Sequence, residues 1–179
     1  MRLEEQQACQ EAILAAARQM CAAARTAPKA RGMDSVSSMV LTGEDRLRLA
    51  RRMVEIEETQ GDCTPIFRRD AALVTASTAV VLIGSRRLSR GLSPCGWCGF
   101  GNCQAMRASG GGHWAYDDID LGIAVGSAVS LAADLRIDNR VVYSAGVAAE
   151  ELHLLGADVE TTLAILLSAS PRNIYFARK

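Results

Sequence analysis

Apolar positions recur at the three- and four-residue spacing of a helix in five parts of this chain. The first part, residues 3–24, is rich in Ala, Leu and Met and contains neither Pro nor Gly. The segment that begins at Gly43 has acidic residues in its first turn, which the helix dipole favours. We therefore predict helices over residues 3–24, 43–59, 70–75, 117–135 and 144–155.

Apolar runs and short β-rich segments lie between these helices. Residues 79–83 are apolar without interruption and end at Gly84, which is typical of a strand buried on both faces. A similar run of Leu, Ala and Ile falls within residues 161–168. We predict strands over residues 35–42, 79–84, 161–168 and 173–178, and an extended or irregular segment over residues 140–143.

Without the short helix at residues 70–75, the order of the predicted elements is α-β-α-β-loop-α-α-β-β. This order lacks the strict alternation of a doubly wound sheet, so the predicted fold class is α+β. The chain has 179 residues, a length that suits one hydrophobic core. We predict a single domain over residues 1–179.

The overall charge gives no electrostatic reason to expect a nucleic acid or an anionic membrane as partner. The chain has 20 basic and 20 acidic residues, so its formal net charge is zero. Its first residues are polar and acidic, unlike a signal peptide, and no apolar run approaches the roughly 18 residues that span a bilayer. We expect a cytoplasmic protein with free thiols rather than disulfides.

Candidate chemistry concentrates in a cysteine-rich loop at residues 91–116. Cys95, Cys98 and Cys103 are separated by two and then four residues, with glycines between them. Glycine permits turns with positive φ, so several thiolates can converge while backbone N–H groups point toward the sulfurs. This pattern indicates a soft-metal site that would take zinc or an iron–sulfur cluster.

Two basic segments allow both a binding and a solvent-exposed interpretation. Arg25, Lys29 and Arg31 flank a Pro-containing break after the first helix, where they would bind a phosphate or form a solvated loop. The three arginines Arg86, Arg87 and Arg90, just before the cysteines, would offset the charge of a thiolate cluster or form an exposed loop face.

The cysteine spacing also resembles a known module. The pattern Cys-Gly-x-Cys-Gly-x-x-x-Cys is similar to the opening of the four-cysteine, four-iron cluster domain of electron-transport subunits. Residues 24–32, the cysteine turn and the segments 120–124, 138–140 and 167–170 resemble a bacterial and archaeal family called ferredoxin domain-containing. The resemblance implies a 4Fe-4S cluster and an electron-transfer role with a redox partner that the sequence does not identify.

One departure from the family pattern concerns the fourth cluster ligand. The family has a fourth cysteine between the turn and the helix that contains Asp120, whereas residues 104–118 of this chain contain none. His113 is our candidate replacement, and Asp117 or Asp118 are alternatives. Cys9, Cys21 or Cys63 would otherwise fold in from elsewhere, or the site would be incomplete and empty.

The order of elements has a second, more distant resemblance, to the flavin-dependent nitroreductase fold. That fold is a mixed sheet flanked by helices, and it usually forms dimers that share the flavin site. The resemblance implies a mixed sheet of four or five strands, a homodimer, and an FMN phosphate bound by Arg25, Lys29 and Arg31.

Four functions therefore stay open on the sequence. The chain is an iron–sulfur redox protein, a protein with a structural zinc, an FMN-dependent oxidoreductase, or a scaffold whose cysteines are free thiols. No Ser-His-Asp or Cys-His arrangement is evident, so the sequence does not decide whether the chain is an enzyme.

Overall fold

A computed structural model describes residues 2–60 and 65–176 of the chain. The helices are α1 (Glu5–Thr26), α2 (Gly43–Thr59), α3 (Ile66–Ala76), α4 (Cys103–Ala108), α5 (Ala115–Asp134) and α6 (Ser144–Glu151). The strands are β1 (Val36–Leu41), β2 (Ala79–Arg86), β3 (Asp138–Val142) and β4 (Val159–Ser168). Helices and strands form one α+β unit, which confirms the predicted fold class.

The four strands form one sheet in the order β1-β2-β4-β3. The central strand β2 pairs with β1 on one side and with β4 on the other. Its residues from Ala79 to Ser85 are all buried, as expected of an apolar run that packs on both faces. The outer strands β1 and β3 are the edges of the sheet.

Helices cover both faces of the sheet, and the alternation of β2 side chains serves one core on each face. Val81 and Ile83 belong to the core with α1 and α5. Val80 and Leu82 belong to the core with α2, α3 and α6. The cysteine loop leaves the end of β2 and returns through α5, so this central strand positions the candidate site.

Two details of the predicted sheet are wrong. The sheet is antiparallel in all three described pairings rather than mixed. No strand forms at residues 173–176, because the side chain of Asn173 accepts a hydrogen bond from the Tyr175 N–H at 2.9 Å and closes a turn. The rest of that predicted strand lies outside the described residues.

A membrane-spanning helix is missing from the described part of the chain. No helix within residues 2–60 and 65–176 has both the length and the apolar character to cross a bilayer.

Candidate metal centre

The cysteine loop is shaped by a glycine turn and a helix cap. Gly99 has a φ of +82°, and its N–H donates to the carbonyl of Gly96 at 3.0 Å. Asn102 then caps α4, because its side-chain oxygen accepts a hydrogen bond from the Ala105 N–H at 2.8 Å. This cap places Cys103 at the first position of α4. Local turn chemistry thus brings the third cysteine back toward the first two.

The three cysteines of the turn line the same two small cavities. Cys95, Cys98 and Cys103 are each half-buried. One cavity is completed by Gly96, Trp97, Phe100, Asn102 and Met106. The other is completed by Arg90, Leu92, Trp114, Ala115 and Tyr116. The structure therefore brings the three predicted thiols together in a mostly apolar setting.

Two backbone groups contact the cysteine sulfurs directly. The N–H of Ala115 donates to Sγ of Cys98 at 3.3 Å. The thiol of Cys103 lies 4.0 Å from the carbonyl oxygen of Leu92, which accepts from it. The N–H donor to sulfur thus comes from the start of α5, which the turn glycines alone did not indicate.

The donor types of this loop are those of an iron–sulfur cluster. Within the described part of the chain, no group of three or more His, Cys, Asp or Glu side chains is arranged to hold one ion. Zinc needs four ligands at about 2.0–2.3 Å from one point. A four-iron cluster is also held by thiolates, each bound to a different iron. Three thiols line the two cavities, each of about 10 Å³, and no carboxylate or imidazole is among the described lining residues.

The candidate fourth ligands beside the loop are engaged with other groups. His113 Nε2 lies 2.8 Å from Oδ1 of Asp118, and neither residue lines the two cavities. Asp117 accepts from the Leu88 N–H at 3.2 Å. Burial raises the pKa of Asp117, while the Leu88 N–H and the Arg90 guanidinium oppose this shift.

Neither Cys9 nor Cys21 lines the two cavities of the cysteine loop. Cys9 lines another cavity, at the start of α1, and Cys21 packs against the core between α1 and α5. Cys63 lies outside the described residues. The described chain therefore brings three thiols to the cavities, and the predicted role of His113 as fourth ligand stays a prediction.

Arg90 joins the loop to α5 through a buried ion cluster. Its side chain is 2% exposed, and those of Asp117 and Asp120 are 0% and 1% exposed. Nη2 of Arg90 lies 2.7 Å from Asp120 and donates to the Ser35 hydroxyl at 2.8 Å. Arg90 borders a cysteine cavity, but two carboxylates already neutralise its charge. The spacing of Asp117 and Asp120, three apart in an apolar helix, was the sequence signal for this cluster.

The other two arginines before the turn pair on the surface. Arg86 Nε donates to Asp158 at 2.5 Å, and Arg87 pairs with Glu160. Their side chains are 35% and 50% exposed, which matches the interpretation as a loop face.

The predicted phosphate-binding residues are only partly brought together. Arg25 and Lys29 line an open surface cavity with Asp34, and Arg25 forms an ion pair with that carboxylate. Lys29 donates to the carbonyls of Ala24, Arg25 and Ala27 and so caps the end of α1. Burial lowers the pKa of Lys29. Arg31 points away and donates to the Arg90 carbonyl at 2.8 Å.

An aromatic pair that the sequence did not predict flanks the cysteines. The rings of Trp97 and Tyr116 stack with centroids 5.5 Å apart and planes 4° apart. Trp97 is 68% exposed. The stack joins the tip of the turn to the first turn of α5.

A family model described as "Uncharacterized protein containing a ferredoxin domain" matches residues 110–178, which follow the three cysteines. An "Uncharacterized protein" of Archaeoglobus fulgidus is 37% identical over 185 aligned residues. That alignment covers 99% of this chain and 98% of the archaeal protein. The predicted family resemblance is therefore confirmed.

Solved structures of nitroreductases share the fold at low sequence identity. A nitroreductase with bound FMN from Bacteroides fragilis has a TM-score of 0.62 at 10% identity, covering 100% of this chain and 84% of that one. A putative nitroreductase in complex with FMN from Desulfovibrio desulfuricans has a TM-score of 0.57 at 14% identity, covering 100% of this chain and 81% of that one.

Nitroreductase A from Vibrio parahaemolyticus has a TM-score of 0.56 at 12% identity, and this chain, although fully covered, spans 64% of it. These similarities confirm the predicted nitroreductase-like fold. The archaeal relative and the family model together identify the chain as a member of the family of uncharacterized proteins that contain a ferredoxin domain.

Proposed function

We propose that this chain is an iron–sulfur redox protein whose cluster is held by Cys95, Cys98 and Cys103. The observation that carries the proposal is that these three thiols line the same two cavities, which no carboxylate or imidazole of the described residues shares. Membership in a ferredoxin-domain family supports it. When bound, a cluster of this kind accepts and releases single electrons.

The surrounding residues give this loop the environment that a cluster needs. Leu92, Phe100, Met106 and Trp114 form apolar walls that limit the access of water. The buried pairs of Arg90 with Asp117 and Asp120 fix the start of the loop against α5. With His113 paired to Asp118, the described residues supply three thiolates, so one iron is open to another ligand.

Cysteine variants test the proposal. The protein is purified without oxygen, and its visible absorption spectrum is recorded for the wild type and for Cys95→Ser, Cys98→Ser and Cys103→Ser. We expect a brown wild type and loss of most charge-transfer absorption in each variant. Cys9→Ser and Cys21→Ser are matched controls outside the cavities and should keep the colour.

The other outcomes separate the alternatives. A colourless wild type that contains stoichiometric zinc supports a structural zinc site, and one that contains no metal leaves three free thiols. A normal spectrum in the three loop variants would contradict the ligand assignment. His113→Ala tests the predicted fourth ligand: loss of the cluster would support this role, and a retained cluster would leave His113 as the partner of Asp118 alone.

FMN binding is the second candidate, and one observation favours it. Two of the similar solved structures contain FMN, and in this chain Arg25 and Lys29 line one open cavity, where a phosphate would have to displace Asp34 from Arg25. Retained flavin absorbance after gentle purification would support this candidate, and Arg25→Gln should then weaken FMN binding. An FMN titration without a fluorescence change would rule it out.

A further inference from the structure

We infer that the backbone N–H of Ala115 is a hydrogen-bond donor to the cluster through Cys98, and that it raises the reduction potential of the cluster. The inference rests on the proposed iron–sulfur function. It adds a positioning group that lies outside the cysteine turn, 17 residues after Cys98 along the chain.

The geometry gives this N–H no competing partner within its own helix. Ala115 is the first residue of α5, and the first four N–H groups of a helix have no intrahelical acceptor. Its N–H points at Sγ of Cys98 over a distance of 3.3 Å. Ala115 also lines the cavity that Cys95, Cys98 and Cys103 share. The sulfur of a candidate cluster ligand therefore accepts the hydrogen bond of an N–H that has no acceptor within its own helix.

Other sources of positive potential at this sulfur are already neutralised. Asp117 and Asp118 lie in the first turn of α5 and offset the helix dipole. The Arg90 guanidinium is paired with Asp117 and Asp120. The individual N–H···S bond is therefore the electrostatic contact that we expect to act on Cys98.

The direction of the effect follows from charge. A reduced cluster has one more negative charge than the oxidised cluster, and an N–H donor to a ligand sulfur stabilises the more negative state. Removal of the donor should therefore make the reduction potential more negative.

Replacement of the Ala115 amide by an ester tests the inference without a change of side chain. Suppression of a stop codon at position 115 with lactic acid would replace the N–H by an oxygen. Proline would also remove the N–H, but its ring carbon would occupy the space along the N–H···S line. The matched control places the hydroxy-acid analogue of tyrosine at Tyr116, the second residue of α5, where the side chain and its stack with Trp97 are kept.

The readouts are the iron content and the reduction potential of each form. We expect equal iron content in all forms. The reduction potential of the Ala115 ester should be more negative by about 59 mV, which corresponds to a tenfold change in a one-electron reduction equilibrium. The Tyr116 ester should stay near the wild-type value. Equal reduction potentials for the two esters, with the cluster bound, would overturn this inference and leave the proposed function intact. A wild type without iron would overturn the proposed function, and the inference with it.

Discussion

Arg90 is a guanidinium with almost no exposed surface, and its two carboxylate partners are as deeply buried. Such a buried group of ion pairs stabilises the fold only while all its members are present, because a buried charge without its partner is poorly solvated. Sequence position suggested that Arg90 faces either a thiolate cluster or solvent. The structure shows that it borders a cysteine cavity and also joins the cysteine loop to α5 and Ser35.

Arg90→Gln should lower the free energy of unfolding by about 3–5 kcal/mol, because it leaves two buried carboxylates without a cation. Chemical denaturation measures the change. Arg51→Gln is the control, since Arg51 lies 3.8 Å from Glu44 on the exposed surface, and its effect should stay within about 0.5 kcal/mol. Equal effects of the two variants would contradict the structural role of Arg90.

Glu150 makes the stability of the protein depend on pH. Burial raises the pKa of Glu150 above its ordinary value of 4.5, with opposing contributions from Thr162. The folded state thus binds a proton more readily than the unfolded state, so this contribution is present below pH 4.5 and is lost as the pH rises through the raised pKa. Glu150→Gln keeps an oxygen that accepts from the Thr162 N–H and removes the charge.

The glutamine side chain of the Glu150→Gln variant does not titrate, so this variant should gain stability relative to the wild type as the pH rises from 4.5 toward neutrality. Denaturation curves at a series of pH values measure this difference. A difference between Glu150→Gln and the wild type that stays constant over this pH range would refute the pKa argument.

At the scale of elements, a glycine lets α6 pack closely against β4. A Cβ atom added at Gly146 of α6 would lie 1.8 Å from the carbonyl oxygen of Thr162 in β4. Backbone atoms cannot shift that far without moving the helix, so this glycine sets the distance between the two elements. Gly126 of α5 has open space at the corresponding position.

Gly146→Ala should therefore destabilise the fold by about 1–3 kcal/mol or more, as overpacking does. Gly126→Ala should stabilise it by about 0.5–1 kcal/mol, because alanine is the better helix former and meets no atoms there. Thermal or chemical unfolding of both variants checks the prediction. Gly146→Ala with wild-type stability would show that α6 packs less closely than described.

The elements also show what sequence patterns reveal and what they miss. The run at residues 79–84 identified a central strand because burial on both faces requires apolar residues at every position. Helix α4 was missed because its six residues are too few for a periodic pattern. The predicted last strand does not form at residues 173–176, where Asn173 donates a hydrogen bond to Asp138, 35 residues away.

The candidate site was predictable only in part, because some of its contacts join residues that are far apart along the chain. Cys95, Cys98 and Cys103 were indicated by local spacing alone, and the structure places them around common cavities. The contact between Ala115 and Cys98 depends on how α5 returns to the loop. The pairing of Arg25 with Asp34 and the capping of α1 by Lys29 are local contacts that depend on the shape of the turn after α1, which composition does not show.

For the whole molecule, the exposed edge of β3 is where we expect the predicted homodimer to form. Val141 in this strand and Tyr143 just after it are 39% and 48% exposed, and Phe176, whose ring contacts the Arg140 guanidinium of the same strand, is 65% exposed. An unpaired strand edge with apolar neighbours favours pairing with a second sheet. The opposite edge, β1, presents Met39, which is 37% exposed.

Val141→Lys should convert a dimer to a monomer, because a lysine on an edge strand disfavours pairing between sheets. Met39→Lys is the matched control on the other edge and should leave the dimer intact. Sedimentation velocity at several concentrations gives the mass of each form. A wild type that is monomeric at all concentrations, or dissociation only by Met39→Lys, would contradict this prediction.

The amount of iron and acid-labile sulfide per chain most directly tests whether Cys95, Cys98 and Cys103 hold an iron–sulfur cluster. It is measured in protein that has been expressed and purified without oxygen. We expect about four iron and four sulfide per chain, as a 4Fe-4S cluster requires, and their loss in Cys98→Ser. Wild-type protein that contains neither iron nor sulfide, even after anaerobic reconstitution, would contradict the proposed cluster.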